Sequence, residues 1–152
     1  MFLDAQQQLV STLETARQDD AGTDPAGRLV PQAVRPYGGE ALKPKALIRE
    51  TPILFVEFDV SGMQAAGVDG VSGGAVTLDV ICAARNQSAR EAEYSDGVAL
   101  ITWAFEQLIG VQLRVDGYGD LEWADCDVGR LLSGDDLWVA KVSPDWTLNA
   151  YG

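Results

Sequence analysis

The sequence contains no histidine, and this absence restricts the chemistry that the chain can perform. Histidine is the side chain that most often acts as a general acid or base near neutral pH, and it is the commonest ligand of zinc. Without it, Ser-His and Cys-His nucleophile pairs are excluded. Carboxylate or lysine chemistry remains open, but the composition favours a protein that is not an enzyme.

Basic residues and cysteines are also few. Eleven Lys and Arg stand against 23 Asp and Glu, which gives a formal net charge of −12 at pH 7. Such a field repels DNA, RNA and anionic lipid, so we expect no specific nucleic-acid binding and no membrane association. Cys82 and Cys126 permit one disulfide, but no secretory leader precedes the first helix, so we expect reduced thiols. No apolar run approaches the ~18 residues of a membrane-spanning helix.

The rest of the composition fits one folded domain spanning residues 1–152. Apolar residues make up 47% of the chain, which is enough to build a core at this length. Residues 2–18 carry an apolar residue every three or four positions and predict a helix. Ser88 and Glu91 have the spacing of a capping box, so a second helix is predicted from there to Ile109. Its predicted apolar stripe consists of Tyr94, Val98, Ile101, Phe105 and Leu108.

Strand signals occupy the other segments. Residues 53–60 and 75–85 alternate in polarity and are joined by the glycine-rich loop 61–74, which predicts an extended hairpin. The segment 28–37 contains two prolines and predicts an edge strand. Two more strands are predicted at 121–130 and 136–151, with a bulge or an edge at Pro144. The order α-β-β-β-α-β-β predicts an α+β domain, with two main helices packed on a mostly antiparallel sheet.

Charges of opposite sign concentrate in two different segments. The acidic segment runs from Asp116 to Asp136 and the basic segment from Arg28 to Arg49. The acidic segment lacks the spacing of a calcium loop, so a solvated or subunit-facing surface is favoured over a metal site. The basic segment is its counterpart, and two ordinary solvated faces remain the alternative. If the segments of neighbouring copies meet, the contact is head-to-tail and closes into a ring when the rotation allows. The predicted contact residues are Arg35, Lys43, Lys45 and Arg49 on the basic side and Asp116, Asp120, Asp125 and Asp127 on the acidic side.

Several segments together resemble the Mu-like phage tail proteins of the tail-terminator, or tail-completion, type. The resemblance covers nearly the whole chain. It rests on the amphipathic first helix, the segments Val34–Glu40 and Thr51–Phe58, the strand ending in Val80–Asn86 before a long helix, and the last strand ending in Trp146–Tyr151. The glycine-rich loop is longer than this pattern leads us to expect. None of these segments is a catalytic motif.

The resemblance implies an α+β domain that forms a ring, typically of six copies, on the end of a phage tail tube. Such a ring stops tube growth and joins the tail to the head connector. The implied partners are further copies of the chain, the tube protein and the connector, and no catalytic residue or cofactor is implied. The implied location is the virion tail, assembled in the bacterial host cytoplasm. The alternatives are another tail, neck or baseplate component and, less favoured, an acidic metal-binding or carboxylate enzyme.

Overall fold

The computed structural model describes most of the chain, namely residues 2–20, 29–38, 47–61, 75–85, 95–115, 117, 119–133 and 137–150. Over these residues the chain forms two helices, six strands and a short 3-10 turn at Ile48–Glu50. In chain order the elements are α1 (Phe2–Asp20), β1 (Ala33–Pro36), β2 (Ile53–Ser61), β3 (Ala75–Arg85), α2 (Ser95–Leu108), β4 (Leu113–Val115), β5 (Gly119–Ser133) and β6 (Leu137–Ala150). The predicted α+β class is confirmed. The three-residue strand β4 was not predicted, because it is too short to show a period.

All six strands lie in one sheet in the order β1-β2-β3-β6-β5-β4. The predicted hairpin is confirmed, since β2 pairs antiparallel with β3 from Ile53 opposite Ala83 to Ser61 opposite Ala75. The turn of that hairpin lies outside the described residues. Strand β1 pairs parallel with β2 and is an edge strand, as its prolines predict. Strands β5 and β6 form a second long hairpin that places β5 between β6 and the short β4.

Both helices pack on one face of the sheet, where alternate side chains of the strands are buried. From β2 and β3 this face presents Leu54, Val56, Leu78, Val80 and Cys82, all fully buried. Helix α1 covers it with Ala5, Leu9 and Leu13, and helix α2 covers it with Leu100, Trp103, Ala104 and Leu108. Each leucine buried in this way contributes about 1.5–3 kcal/mol. The opposite face carries a smaller cluster of Leu47, Ile53, Phe55, Ile81, Ala83, Leu137 and Val139.

The buried face of α2 matches the predicted stripe in part. Leu108 is fully buried and Ile101 packs against the core as predicted, but Val98 is 52% exposed and Phe105 is 37% exposed. Leu100 and Trp103, which the stripe did not include, are fully buried. Tyr94 and the predicted capping box lie outside the described residues. Tertiary contacts explain the rotation, because the Nε1–H of Trp103 donates to Oδ2 of Asp20 at 2.8 Å and anchors that side of the helix. Since α2 is apolar around most of its circumference, spacing alone placed the stripe only partly on the buried face.

Helix α1 closes both edges of the sheet with side chains. At β1, Oε2 of Glu14 accepts a hydrogen bond from the backbone N–H of Val34 at 3.1 Å. At β4, the amide of Gln8 accepts from the N–H of Arg114 at 2.8 Å and donates to its C=O at 2.7 Å, as a neighbouring strand would. Because both edge strands contact one helix, the sheet curls around α1. Unpaired strand edges promote aggregation, and these two edges are protected.

Replacing Glu14 by alanine will loosen β1 from α1. The guanidinium of Arg17, 2.6 Å from Oε1, lowers the pKa of Glu14, and the N–H of Val34 lowers it further against an opposing effect of burial. Because the folded-state pKa is lowered, this contribution to stability is present above the unfolded pKa and is lost as pH falls through the folded value. We expect Glu14→Ala to cost about 1–2 kcal/mol at pH 7, measured by urea unfolding.

Amide hydrogen exchange provides the local readout for this prediction. The Val34 amide should exchange faster in Glu14→Ala, whereas Gln7→Ala, at an exposed position of the same helix, should leave it unchanged. Unchanged protection of Val34 in Glu14→Ala would contradict the assignment of Glu14 as the cap of this edge.

Candidate interaction surface

The predicted basic contact residues that the structure describes lie together beside β1. Arg35 is an exposed residue of β1, and its guanidinium lies 3.1 Å from Oε2 of Glu50. Arg49 precedes Glu50 in the 3-10 turn and is also exposed. Lys43 and Lys45 lie outside the described residues. The structure therefore places two of the four predicted cations on one surface, and one of them already has an acidic partner in its own chain.

The predicted acidic residues fall on β5. Asp120 is partly buried and lies directly opposite Arg114 of β4 in the strand register, an arrangement that favours opposite charges. Asp125 and Asp127 are exposed further along the same strand, and Asp116 lies outside the described residues. Strands β2, β3 and β6 separate this strand from β1. The predicted strand 121–130 did not include Asp120, and its neighbour Arg114 was missed because β4 was not predicted.

Beyond its first residues, β5 has no strand on its outer side within the described part of the chain. Strand β4 pairs only with Gly119–Leu121, and Gln112 then donates to Glu122 at 2.5 Å. The Nε1–H of Trp123 donates to the C=O of Leu108 at 2.8 Å, which brings the end of α2 beside β5. From Ala124 to Gly129 every residue is exposed except Cys126, which is partly buried. We call this stretch, residues 124–129, the open edge.

A β-bulge lies at the start of the open edge. Trp123 pairs with Trp146 and Cys126 pairs with Pro144, so β5 has one residue more than β6 between these pairs. The bulge predicted at Pro144 is confirmed. A second register shift lies between Arg130 and Leu132. Bulges and charged side chains are common devices against unwanted pairing of sheet edges, and Asp125 and Asp127 supply the charges here.

Exposed apolar side chains lie on α2 and on the open edge. Val98, Phe105 and Ile109, the last 61% exposed, follow one another along the outer side of the helix and the turn after it. The ring of Phe105 meets the ring of Trp123 edge to face, with 5.8 Å between centroids, which links this stripe to β5. Val128 of the open edge is 52% exposed. These exposed side chains could have been predicted from sequence, because α2 is apolar on more sides than one sheet can bury.

A polar cluster crosses three strands on the sheet face opposite the helices. Nζ of Lys141 lies 2.8 Å from Oε1 of Glu57 and 3.6 Å from Oδ2 of Asp79. Burial raises the pKa of Asp79, which is only 4% exposed, and the charge of Lys141 partly opposes that rise. Hydrogen bonding to Glu57 is the main reason that the pKa of Lys141 is raised. Each charged group has a partner, so we assign the cluster to stability.

Both cysteines are free thiols. Cys82 is fully buried in β3 and packs as a small apolar side chain, and burial raises its pKa. Cys126 also has a raised pKa, with burial as the larger cause and the nearby charge of Asp127 as the second. A raised pKa leaves little thiolate near neutral pH, so neither cysteine is placed as a nucleophile.

Comparisons with known proteins returned no match: no family model, no curated protein and no solved structure is similar to this chain. In the described ranges, no group of three or more acidic or cysteine side chains is arranged to hold a metal ion. None of the helices described is both long enough and apolar enough to cross a membrane. The open edge, the exposed apolar side chains and the charges beside β1 are the surface features with which this chain can bind a partner.

Proposed function

We propose that this chain is a structural protein that assembles head to tail with copies of itself. In the most specific form of the proposal it is a phage tail terminator that forms a ring on the tail tube, stops tube growth and joins the tail to the head connector. Its partners are then other copies of the chain, the tube protein and the connector, and its location is the virion tail. The support for the phage role is the resemblance of sequence segments and an α+β fold of the implied class.

The observation that carries self-assembly is the separation of opposite charges on one chain. Arg35 and Arg49 lie beside β1, whereas Asp125 and Asp127 lie on β5, with three strands between. Such surfaces are complementary between copies but not to themselves, which favours a heterologous contact over a two-fold one. Charge complementarity of this kind selects the partner and the register, and apolar contacts such as the exposed stripe of α2 supply affinity.

Reversing both basic charges will weaken self-association. In Arg35→Glu/Arg49→Glu, each new carboxylate faces the aspartates of the neighbouring copy. We therefore expect association between copies to be about 10- to 100-fold weaker at physiological salt. Native mass spectrometry across protein concentration measures the effect. The matched control is Arg85→Glu, a charge reversal at an exposed position outside the predicted contact, which should behave as wild type.

A charge swap tests the contact itself. Adding Asp125→Lys/Asp127→Lys to the double arginine variant restores opposite charges and should recover association. Such recovery is expected only if the two sets of residues contact each other. Assembly that survives the arginine reversal would refute the charge contact. For the phage role, deletion of the gene should give tails of uncontrolled length that fail to join heads; tails of normal length would refute a terminator.

A further inference from the structure

The open edge of β5 differs from the other two strand edges of this sheet. On β1, Glu14 occupies the N–H of Val34, and Pro36 has no N–H to offer. On β4, Gln8 occupies both backbone groups of Arg114. Along the open edge, the backbone groups directed away from β6 face no described strand. An extended segment of another chain can pair with such an edge by β-strand addition.

Self-pairing of two open edges is disfavoured by charge. Two copies joined in this way would bring Asp125 and Asp127 of one chain beside the same residues of the other, and like charges on neighbouring strands repel. Since β1 and β4 are closed, the described strands of a second copy offer no other free edge. The occupant that fits is therefore an extended segment of a different protein.

The two faces of β5 define the chemistry of that segment. Val128 pairs with Val142, whose side chain is in the core under the helices, so Val128 lies on the helix side of the sheet with Phe105. Asp127 pairs with Ser143 and lies on the opposite side. A strand added beside β5 would thus meet an apolar surface with one set of alternate residues and a carboxylate with the other.

We propose that the open edge binds an extended segment of a partner protein in which basic and aliphatic residues alternate. Its backbone pairs with residues 124–129, its aliphatic side chains cover Val128 and the exposed side of Phe105, and its basic side chains approach Asp127. The proposal does not depend on ring assembly. It makes the acidic strand a receptor for a second protein, and because head-to-tail assembly also uses Asp125 and Asp127, the segment and a second copy compete for this strand.

The probe is a seven-residue peptide, Lys-Val-Lys-Val-Lys-Val-Lys, titrated into the isotopically labelled full chain and followed by NMR. We expect amide shifts centred on residues 124–129 and slower hydrogen exchange there, because pairing protects the backbone. Asp127→Asn should weaken binding about 2- to 5-fold, and the loss should shrink at high salt. Val128→Lys introduces a positive charge that repels the lysines of the peptide, and it removes an apolar contact at an exposed position. It should weaken peptide binding at least about 10-fold.

Control peptides and variants separate strand addition from general charge attraction. A peptide with Glu in place of Lys, and a peptide whose backbone amides are all N-methylated and so cannot donate backbone hydrogen bonds, should not bind. Arg35→Glu/Arg49→Glu changes a surface three strands away from the open edge and should bind the peptide at least as tightly as wild type. Equal binding of the N-methylated peptide, or shifts confined to another surface, would overturn the proposal.

Discussion

Gly97→Ala should destabilise the fold, although alanine is the better helix former. An alanine Cβ at this position would lie 2.4 Å from Cε3 and 2.6 Å from Cδ2 of Trp138, inside any permitted contact. These atoms belong to the body of a buried indole that cannot move aside, so α2 itself must shift. Overpacking of this kind costs about 1–3 kcal/mol, more than the ~1 kcal/mol gained in helix propensity. Urea unfolding should show a lower midpoint at an unchanged slope.

Gly129→Ala is the matched control for this effect. It lies in the open edge, and no atom lies within 4 Å of the position that its Cβ would take. We expect a change in unfolding free energy within about 0.5 kcal/mol. Combining Gly97→Ala with Trp138→Leu, which removes the clashing ring, should cost less than the sum of the two single changes. If the losses of unfolding free energy simply added, the absence of a side chain at Gly97 would not be what allows α2 to pack closely on Trp138 of β6.

Lys141→Met should have the largest effect of any single change discussed for this protein. The substitution removes the cation that lies between Glu57 and Asp79 and leaves a nearly buried carboxylate without its counter-charge. Leaving one charge of a buried pair uncompensated costs about 3–5 kcal/mol, and the partial exposure of Lys141 lowers our expectation to about 2–4 kcal/mol. Lys141→Arg keeps the charge and should lose less than half as much.

The pH dependence of the same cluster provides a second readout. Burial raises the folded-state pKa of Asp79, so the native state binds this proton more tightly than the unfolded chain does. The resulting stability is complete below the unfolded pKa and is lost as pH rises through the folded value, the opposite of Glu14. Asp79→Asn should therefore remove this slope and restore part of the stability lost in Lys141→Met. A Lys141→Met loss that is the same with and without Asp79→Asn would contradict the counter-charge role.

Strands with clear alternation were predictable from sequence because their pattern has a single solution. Burying Leu54 and Val56 on one face fixes the orientation of β2, and a shift by one residue would expose them. The same argument determines the orientation of β3, and together the two patterns predict the hairpin that β2 and β3 form. Pro36 and Pro144 marked an edge and a bulge correctly, since proline cannot donate to a ladder. These features depend on local chemistry, which the sequence states directly.

The orientation of α2 and the closure of the edges depend on distant residues, and the sequence does not state them. Val98 and Phe105 fit a helical stripe as well as Leu100 and Trp103 do, and only the sheet decides which pair is buried. The bonds from Gln8 to Arg114 join residues 106 positions apart, a relation that no local pattern contains. The same limit explains why sequence located the charged residues but missed the open edge and the exposed apolar side chains around it.

The bonds that close β4 also set an order of events during synthesis. Helix α1 emerges from the ribosome before the six strands, and its Gln8 can bond to Arg114 only after Arg114 has been translated. At ordinary translation rates of about 5–20 residues per second, that interval lasts at least several seconds. Until then, the apolar side of α1 and the growing sheet lack their final partners. A nascent chain of this protein should therefore expose apolar surface that chaperones acting at the ribosome can bind.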